Sequence, residues 1–191
     1  MLDSSIKNIS VDDSLDLFIK RRSCRNFKSI QVESKILDSI IYAGRLAPSA
    51  HGLEDTITLV IEDHDIRKKL EDRTSMFMRG FKNPFYGAPH VLAVLSSMAS
   101  VSSSGCGYFD GALVLGNMML AATLLGIGSC WINTAQFDTA LNDSILLNLL
   151  ESKGYGREFV GIGYLVLGYP ASDQVFNQIP KTPKQNRILK I

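Results

Sequence analysis

The chain has 191 residues, a formal net charge of +1, 46% hydrophobic residues and 20% charged ones. This is ordinary globular composition, long enough to bury a full core, and residues 1–191 read as one domain. A charge this close to zero gives no overall field to gather nucleic acid or acidic partners.

Residues 1–11 are a polar lead-in. Asp12, Asp13 and Ser14 offer N-cap chemistry to a short helix carrying Leu15, Leu17, Phe18 and Ile19. The helix runs into Arg21-Arg22-Ser23-Cys24-Arg25. Two accounts of that run stand side by side. Cations at a helix C-terminus suit its dipole; equally, guanidinium forks with a serine hydroxyl between them suit a bound dianion. A second helix spans roughly 33–46, with Ile36, Leu37, Ile40, Ile41, Ala43 and Ala47 forming its buried stripe. It stops at the turn-forming Ala47-Pro48-Ser49-Ala50-His51-Gly52. Thr56–Ile61 is β-branched and reads as a strand. Asp63 then caps a charged helix through Ile66 and Leu70, with Arg67, Lys68 and Lys69 toward solvent.

Residues 74–87, TSMFMRGFKNPFYG, are rich in Met and Phe without clean periodicity. They suit an adaptable lid over a pocket or, equally, a loop pinned by Phe77, Phe81 and Phe85. Val91–Leu95 is an apolar strand, and the serine-rich 96–104 reads as an exposed, mobile connection. From Tyr108 to Leu125 apolar residues fall on every face, as in a helix buried all round. Asp110 and Asn117 interrupt a run already at the lower length limit, and no Lys or Arg flanks it, which argues against a membrane span. Gly126 is placed for a left-handed C-cap. Ser129–Ile132 follows as a short buried strand, residues 142–152 as a helix ended by Gly154, and Phe159–Leu167 as the last strong strand. Residues 171–191, with Pro180 and Pro183, form an extended tail suited to embracing a partner subunit.

Cys24, Cys106 and Cys130 form neither a metal spacing nor an even disulfide framework. Together with the lack of a signal peptide they point to a reducing cytoplasm. His51, His64 and His90 are too scattered for a metal site. Gly105-Cys106-Gly107 lacks the third glycine of a dinucleotide fingerprint, because Asp110 stands there. There is no P-loop, no HExxH and no G-x-S-x-G. With no paired carboxylates and no nucleophile–base set, any chemistry falls to a cofactor.

Four elements in order resemble the FMN-dependent nitroreductase family. They are Arg21-Arg22-Ser23-x-Arg25 after the first helix and Ala47-Pro48-Ser49 after the second. Next comes the Asp110–Asn117 helix leading into Gly126-Ile127-Gly128-Ser129-Cys130-Trp131, and last Gly168-Tyr169-Pro170 with a basic tail. The resemblance implies an α+β fold, a central mixed or antiparallel sheet surrounded by helices with an extended C-terminal arm. It also implies a homodimer that exchanges terminal arms and holds two FMN molecules in its interface. NADH or NADPH would be the hydride donor, and a nitroaromatic, quinone or other flat aromatic the acceptor.

By that resemblance Arg21, Arg22, Ser23 and Arg25 lie at the phosphate and ribityl end of FMN, with Lys181 or Lys184 completing the phosphate site. Pro48, Ser49, Ala50 and Gly52 border the isoalloxazine, often from the partner subunit. Trp131, Ile132, Asn133 and Thr134 bring backbone groups to the flavin ring near N5. No catalytic side chain is implied. The chain departs from the family where Gly52 replaces an Asn, Glu54 a Gln, and Asp55-Thr56 a Pro-Trp pair, and Pro183 stands where an Arg is common. A carboxylate at Glu54 would disfavour an anionic reduced flavin. The alternatives are a flavin binder with little turnover, and a family branch that dehalogenates substrates or breaks flavin down.

Overall fold

The computed structural model of the chain describes residues 11–172, 175 and 176. The lead-in before Val11 and almost all of the tail lie outside the described residues. Seven helices and four strands follow in the order α1 (Val11–Lys20), α2 (Ser34–Arg45), β1 (Thr56–Ile61), α3 (His64–Phe77), β2 (His90–Ser97), α4 (Met98–Ser104), α5 (Cys106–Leu124), β3 (Gly128–Ile132), α6 (Ala135–Thr139), α7 (Ile145–Ser152) and β4 (Phe159–Gly168). The four strands form one antiparallel sheet in the order β1-β2-β4-β3, and the fold is α+β. Beyond β3, Ser23 makes an isolated parallel bridge to Ser129.

Helices cover both faces of this sheet. On one, Leu92 and Val94 of β2 with Ile162, Leu165 and Leu167 of β4 meet Ile40 of α2 and Leu115 and Met118 of α5. On the other, Val91, Ala93 and Leu95 with Tyr164 and Val166 meet Leu70 of α3 and Leu146 and Leu150 of α7. Alternate side chains of a strand point to opposite faces, so Ile162 should not share a face with Leu165. It does because Val94 pairs with Gly163 and Leu95 with Gly161, leaving Ile162 as an extra residue. Such a bulge resets the alternation. Two glycines flank it where other groups come close. A Cβ on Gly161 would lie 2.4 Å from the Ala135 backbone, and one on Gly163 would lie 2.1 Å from Trp131 Nε1.

Local chemistry sets several boundaries. Asp63 accepts from the backbone N–H of Asp65 and Ile66, both at 2.9 Å, capping α3. Gly126 takes φ 71°, Ile127 N–H donates to Ala122 O at 2.8 Å and Gly126 N–H to Thr123 O at 3.1 Å. Those two bonds make a Schellman stop to α5. α7 begins at an N-cap Ser144 instead of near 142, and Gly154 ends it at φ 84°.

Several expectations are corrected. Among the described residues α1 spans Val11–Lys20, so Asp12–Ser14 lie within the helix rather than before it. Residues 96–104 are not a mobile connection. Ser96 and Ser97 finish β2, and Ser97 Oγ caps α4 by accepting from Ala99 N–H at 3.2 Å. Gly105 at φ 71° is the corner between α4 and α5, two helices, rather than a strand-to-helix turn. Residues 74–77 complete α3, and beyond them Phe85 is buried against Tyr164, ring centroids 5.2 Å apart, while Phe81 stays exposed. Arg67 turns back to donate to Pro89 O at 3.0 Å. α5 is not enclosed within one chain, since Phe109 is 69% and Leu124 72% exposed, with Tyr108 and Leu113 also open. Among the described residues no helix is long and apolar enough to cross a membrane.

His90, at the start of β2, accepts from Val32 N–H at 3.0 Å through Nε2, which requires a neutral ring. Burial lowers its pKa, and Arg67 lowers it further. A folded-state pKa below the unfolded value makes this contribution complete above about pH 6.5, the unfolded histidine value. Stability should therefore fall as pH drops below that value, and His90→Gln should flatten the decline in urea titrations run from pH 7.5 to 5. Gly161→Ala should cost about 1–3 kcal/mol by overpacking against α6, read as a lower urea midpoint.

Candidate functional site

Residues 21–28 pass from the outer edge of β3, at Ser23 and Cys24, to the chain just after β4, at Phe27 and Lys28. Cys24 N–H donates to Ser129 O at 2.8 Å and Lys28 N–H to Tyr169 O at 2.8 Å, while Phe27 bridges Pro170. Alternation along the segment turns Cys24 inward and leaves Ser23 and Arg25 outward. The buried Cys24 sulfur sits where a Cβ on Gly128 would be, so Gly128 lets the two backbones meet. Burial raises the pKa of both Cys24 and Cys130, against a smaller opposing effect of Arg25. Both thiols stay protonated at neutral pH and are poor nucleophiles. Arg21 and Arg25 pair with no carboxylate among the described residues; Arg25 instead lies over the ring of Tyr86, 6.0 Å from its centroid. Among the described residues no acidic group neutralises their charge.

Where β3 ends, the chain turns through Asn133 and Thr134 into α6. Thr134 N–H is used in the turn, donating to Ile132 O at 3.1 Å, and its buried hydroxyl contacts Thr74 Oγ1 at 3.4 Å. Ile132 is buried and Trp131 packs toward the α5 face with its Nε1 unpartnered above Gly163. Asn133 alone of the four is exposed, and its backbone N–H makes no bond among the described residues. The backbone donor expected from this loop is therefore Asn133.

Beyond the turn, α6 carries a buried carboxylate. Asp138, 1% exposed, accepts from Arg73 Nη1 at 2.8 Å, Ser144 Oγ at 2.8 Å and the backbone N–H of Leu146 at 2.9 Å. Arg73 also pairs with Asp143 at 2.9 Å. Tyr164 lies in the same core, its phenol pushed far above the usual range by burial and then by Asp138, against Arg73 and a bond from Thr74. Sequence reading missed this cluster, because four separate elements supply it.

The second candidate group lies elsewhere. Pro48, Ser49, Ala50 and Gly52 follow α2 and feed β1, the sheet edge opposite β3. Three strand spacings, about 14 Å, separate those edges, so one chain does not bring Pro48–Gly52 to Arg21–Arg25. Ser49 Oγ accepts from Glu54 N–H at 3.0 Å, which leaves its hydroxyl proton to donate. His51, Gly52 and Glu54 all take positive φ, 54°, 65° and 53°, the two non-glycine residues at about 1–3 kcal/mol each. The loop borders a cleft of about 220 Å³ lined by Arg45, Pro48, Ser49, Glu54, Thr56 and Asp110 among others. Lys181 and Lys184 lie outside the described residues. Tyr86, itself at φ 56°, was also missed, since nothing local in the sequence connects it to Arg25.

A family model described as the Nitroreductase family matches residues 19–169. A relative from Archaeoglobus fulgidus, provisionally named NADH dehydrogenase/NAD(P)H nitroreductase, is 24% identical over 182 residues, covering 93% of this chain and 97% of the relative. A nitroreductase from Bacteroides fragilis, solved with bound FMN, is 26% identical with a TM-score of 0.76, covering 93% of this chain and 97% of its own. An FMN-dependent nitroreductase from Clostridium difficile, 21% identical with a TM-score of 0.73 over 95% of this chain and 100% of its own, shares the fold.

Removing the buried carboxylate leaves Arg73 with Asp143 alone and strands the Ser144 hydroxyl and the Leu146 N–H, a loss of about 3 kcal/mol, the lower end for a buried pair broken on one side. Asp138→Ala should lower the thermal midpoint accordingly, with Asp143→Ala, at an exposed position, far milder in the same melt.

Proposed function

The chain belongs to the nitroreductase family, and from that premise we propose that it is an FMN-dependent NAD(P)H:acceptor oxidoreductase. Bound FMN would supply hydride transfer from a nicotinamide to a flat acceptor, a nitroaromatic or quinone, in a ping-pong sequence. The observation that carries the reading is a pair of cations without a carboxylate partner among the described residues at one end of β3, and a free backbone donor beyond its other end. Ser23 docks on β3 with Arg21 and Arg25 to either side of it in the chain, and Asn133 follows the end of the same strand. That donor set fits a phosphate dianion joined to a polar ring edge.

Arg21, Arg22 and Arg25 would hold the phosphate through charge-assisted bonds and Ser23 would add its hydroxyl, each charged contact contributing roughly 1.5–3 kcal/mol. Tyr86 would keep Arg25 oriented. Asn133 N–H would donate to the ring edge near N5, where a fixed dipole stabilises charge that develops on reduction. Trp131, Ile132 and Thr134 would support that turn, and the tail cations Lys181 and Lys184 would add to the phosphate site. Pro48, Ser49, Ala50 and Gly52 would reach the ring from a second copy of the chain. Two observations favour such a homodimer: the two residue groups sit on opposite sheet edges, and α5 leaves Tyr108, Phe109, Leu113 and Leu124 exposed.

A second reading, a flavin binder with little turnover, draws on Gly52. A Cβ there would meet nothing within 4 Å, so an amide at this position is missing rather than displaced. Asn tolerates positive φ, and Gly52→Asn should restore turnover if that loss is what limits it.

The purified chain with added FMN should turn yellow and bleach under anaerobic NADH or NADPH. Retained colour with both donors would favour the binder, and failure to hold FMN would overturn the family's cofactor here. Arg21→Ala and Arg25→Ala should each weaken FMN binding roughly 10- to 100-fold, measured by fluorescence titration.

A further inference from the structure

α5 is apolar apart from a few positions, and two of its polar side chains leave the helix to hold the same neighbour. Asn117 Nδ2 donates to Ala43 O in the last turn of α2 at 3.1 Å. Two turns earlier Asp110, 6% exposed, accepts from Ala50 N–H at 3.1 Å through Oδ1. Ala50 opens the 3-10 turn Ala50–Gly52, and the residues behind it carry the positive φ values of His51, Gly52 and Glu54. Non-glycine residues keep such conformations only where surrounding contacts over-determine them. Ser49 Oγ with Glu54 N–H, and Gly52 N–H with Ser49 O, close the loop on itself. Those internal bonds do not tell the loop where to sit; the bond from Asp110 ties it to the helix.

We propose that Asp110 is a positioning residue for the flavin-facing loop, fixing Ser49–Glu54 in its competent conformation through the Ala50 N–H. The inference rests on the proposed function for its flavin consequence, but the pin itself is a property of the chain alone. A carboxylate is suited to the task because an acceptor-only group cannot donate to the helix backbone and bonds an N–H strongly. Without it the loop exchanges among conformers. If the competent one is populated a tenth of the time, apparent FMN affinity falls about tenfold.

The test compares the full-length chain with Asp110→Ala, Asp110→Asn and Asn117→Ala. Backbone amide exchange at Ala50 is followed without flavin, and FMN Kd is then measured by fluorescence. Asp110→Ala should lose Ala50 protection and raise the FMN Kd about tenfold, while Asp110→Asn, which keeps an acceptor, should retain most of both. Asn117→Ala should lower the melting temperature but leave Ala50 protected, separating positioning from general packing. Should Asp110→Ala fail to fold, the unsubstituted chain still decides, since rapid exchange at its Ala50 amide would overturn the pin. Unchanged Ala50 protection in folded Asp110→Ala would overturn it as well. Protection lost with FMN Kd unmoved would overturn the flavin consequence. An unsubstituted chain that binds no FMN would instead overturn the proposed function, leaving the exchange results to judge the pin.

Discussion

One extra residue in β4 decides how the two halves of this protein meet. With Ile162 bulged out of register, Gly161 faces α6, Gly163 faces the Trp131 indole, and Tyr164 turns into the core beside Asp138. A regular strand would place Ile162 and Tyr164 on one face and could not serve both layers at once. The bulge and its flanking glycines let α6 lie against the sheet and set the height of the turn at Asn133. Close approach and bulging are the two usual reasons for glycine inside a strand, and both operate within three residues here.

The polar groups divide by purpose. Asp138 is buried and Arg73 part-buried, and their bonds are spent within the chain on Ser144, Asp143 and the first turn of α7. Arg21 and Arg25 lie at the surface with no carboxylate among the described residues. Desolvation makes an unpaired buried charge very costly, whereas a surface guanidinium loses little by waiting for a ligand. Cys24 and Cys130 sit between the two kinds, buried thiols whose raised pKa values suit packing beneath the cationic segment.

Much of the fold was legible because its signals are local. β1 coincides with a β-branched run, Asp63 caps α3 through its own side chain, and Gly126 supplies the positive φ that ends α5. The failures come where one residue type serves two environments. Serines 96 and 97 have the composition of a loop, yet they end a strand and cap a helix because Asp55 O accepts from Ser97 N–H and Glu158 O from Met98 N–H across the chain. The apolar periphery of α5 reads as buried all round, and only a structure shows which face its own chain leaves open. Of the candidate site, the sequence marks out the segment 21–25 and the loops 48–52 and 131–134 as residue groups. Their division between two sheet edges was not legible, because strand order is not written in any one segment. Nor was Asn133 separable from its neighbours before the hydrogen bonds of the turn were known.

That division bears on how the site can be controlled. Under the proposed function each cofactor would take its phosphate cradle from one chain and its ring-facing loop from another. The loop is tied to α5 through Asp110, while Asn117 further along the same helix holds the last turn of α2. The same helix carries the exposed apolar residues Tyr108, Phe109, Leu113 and Leu124. Docking a second copy on that stripe would bury apolar area and at the same moment fix the helix that holds the loop. Assembly and cofactor binding would then be coupled, because each favours the same placement of α5, and linkage requires the influence to run equally in both directions. A helix with an apolar outer face and two polar side chains reaching back to its neighbour is suited to carry that coupling without any hinge.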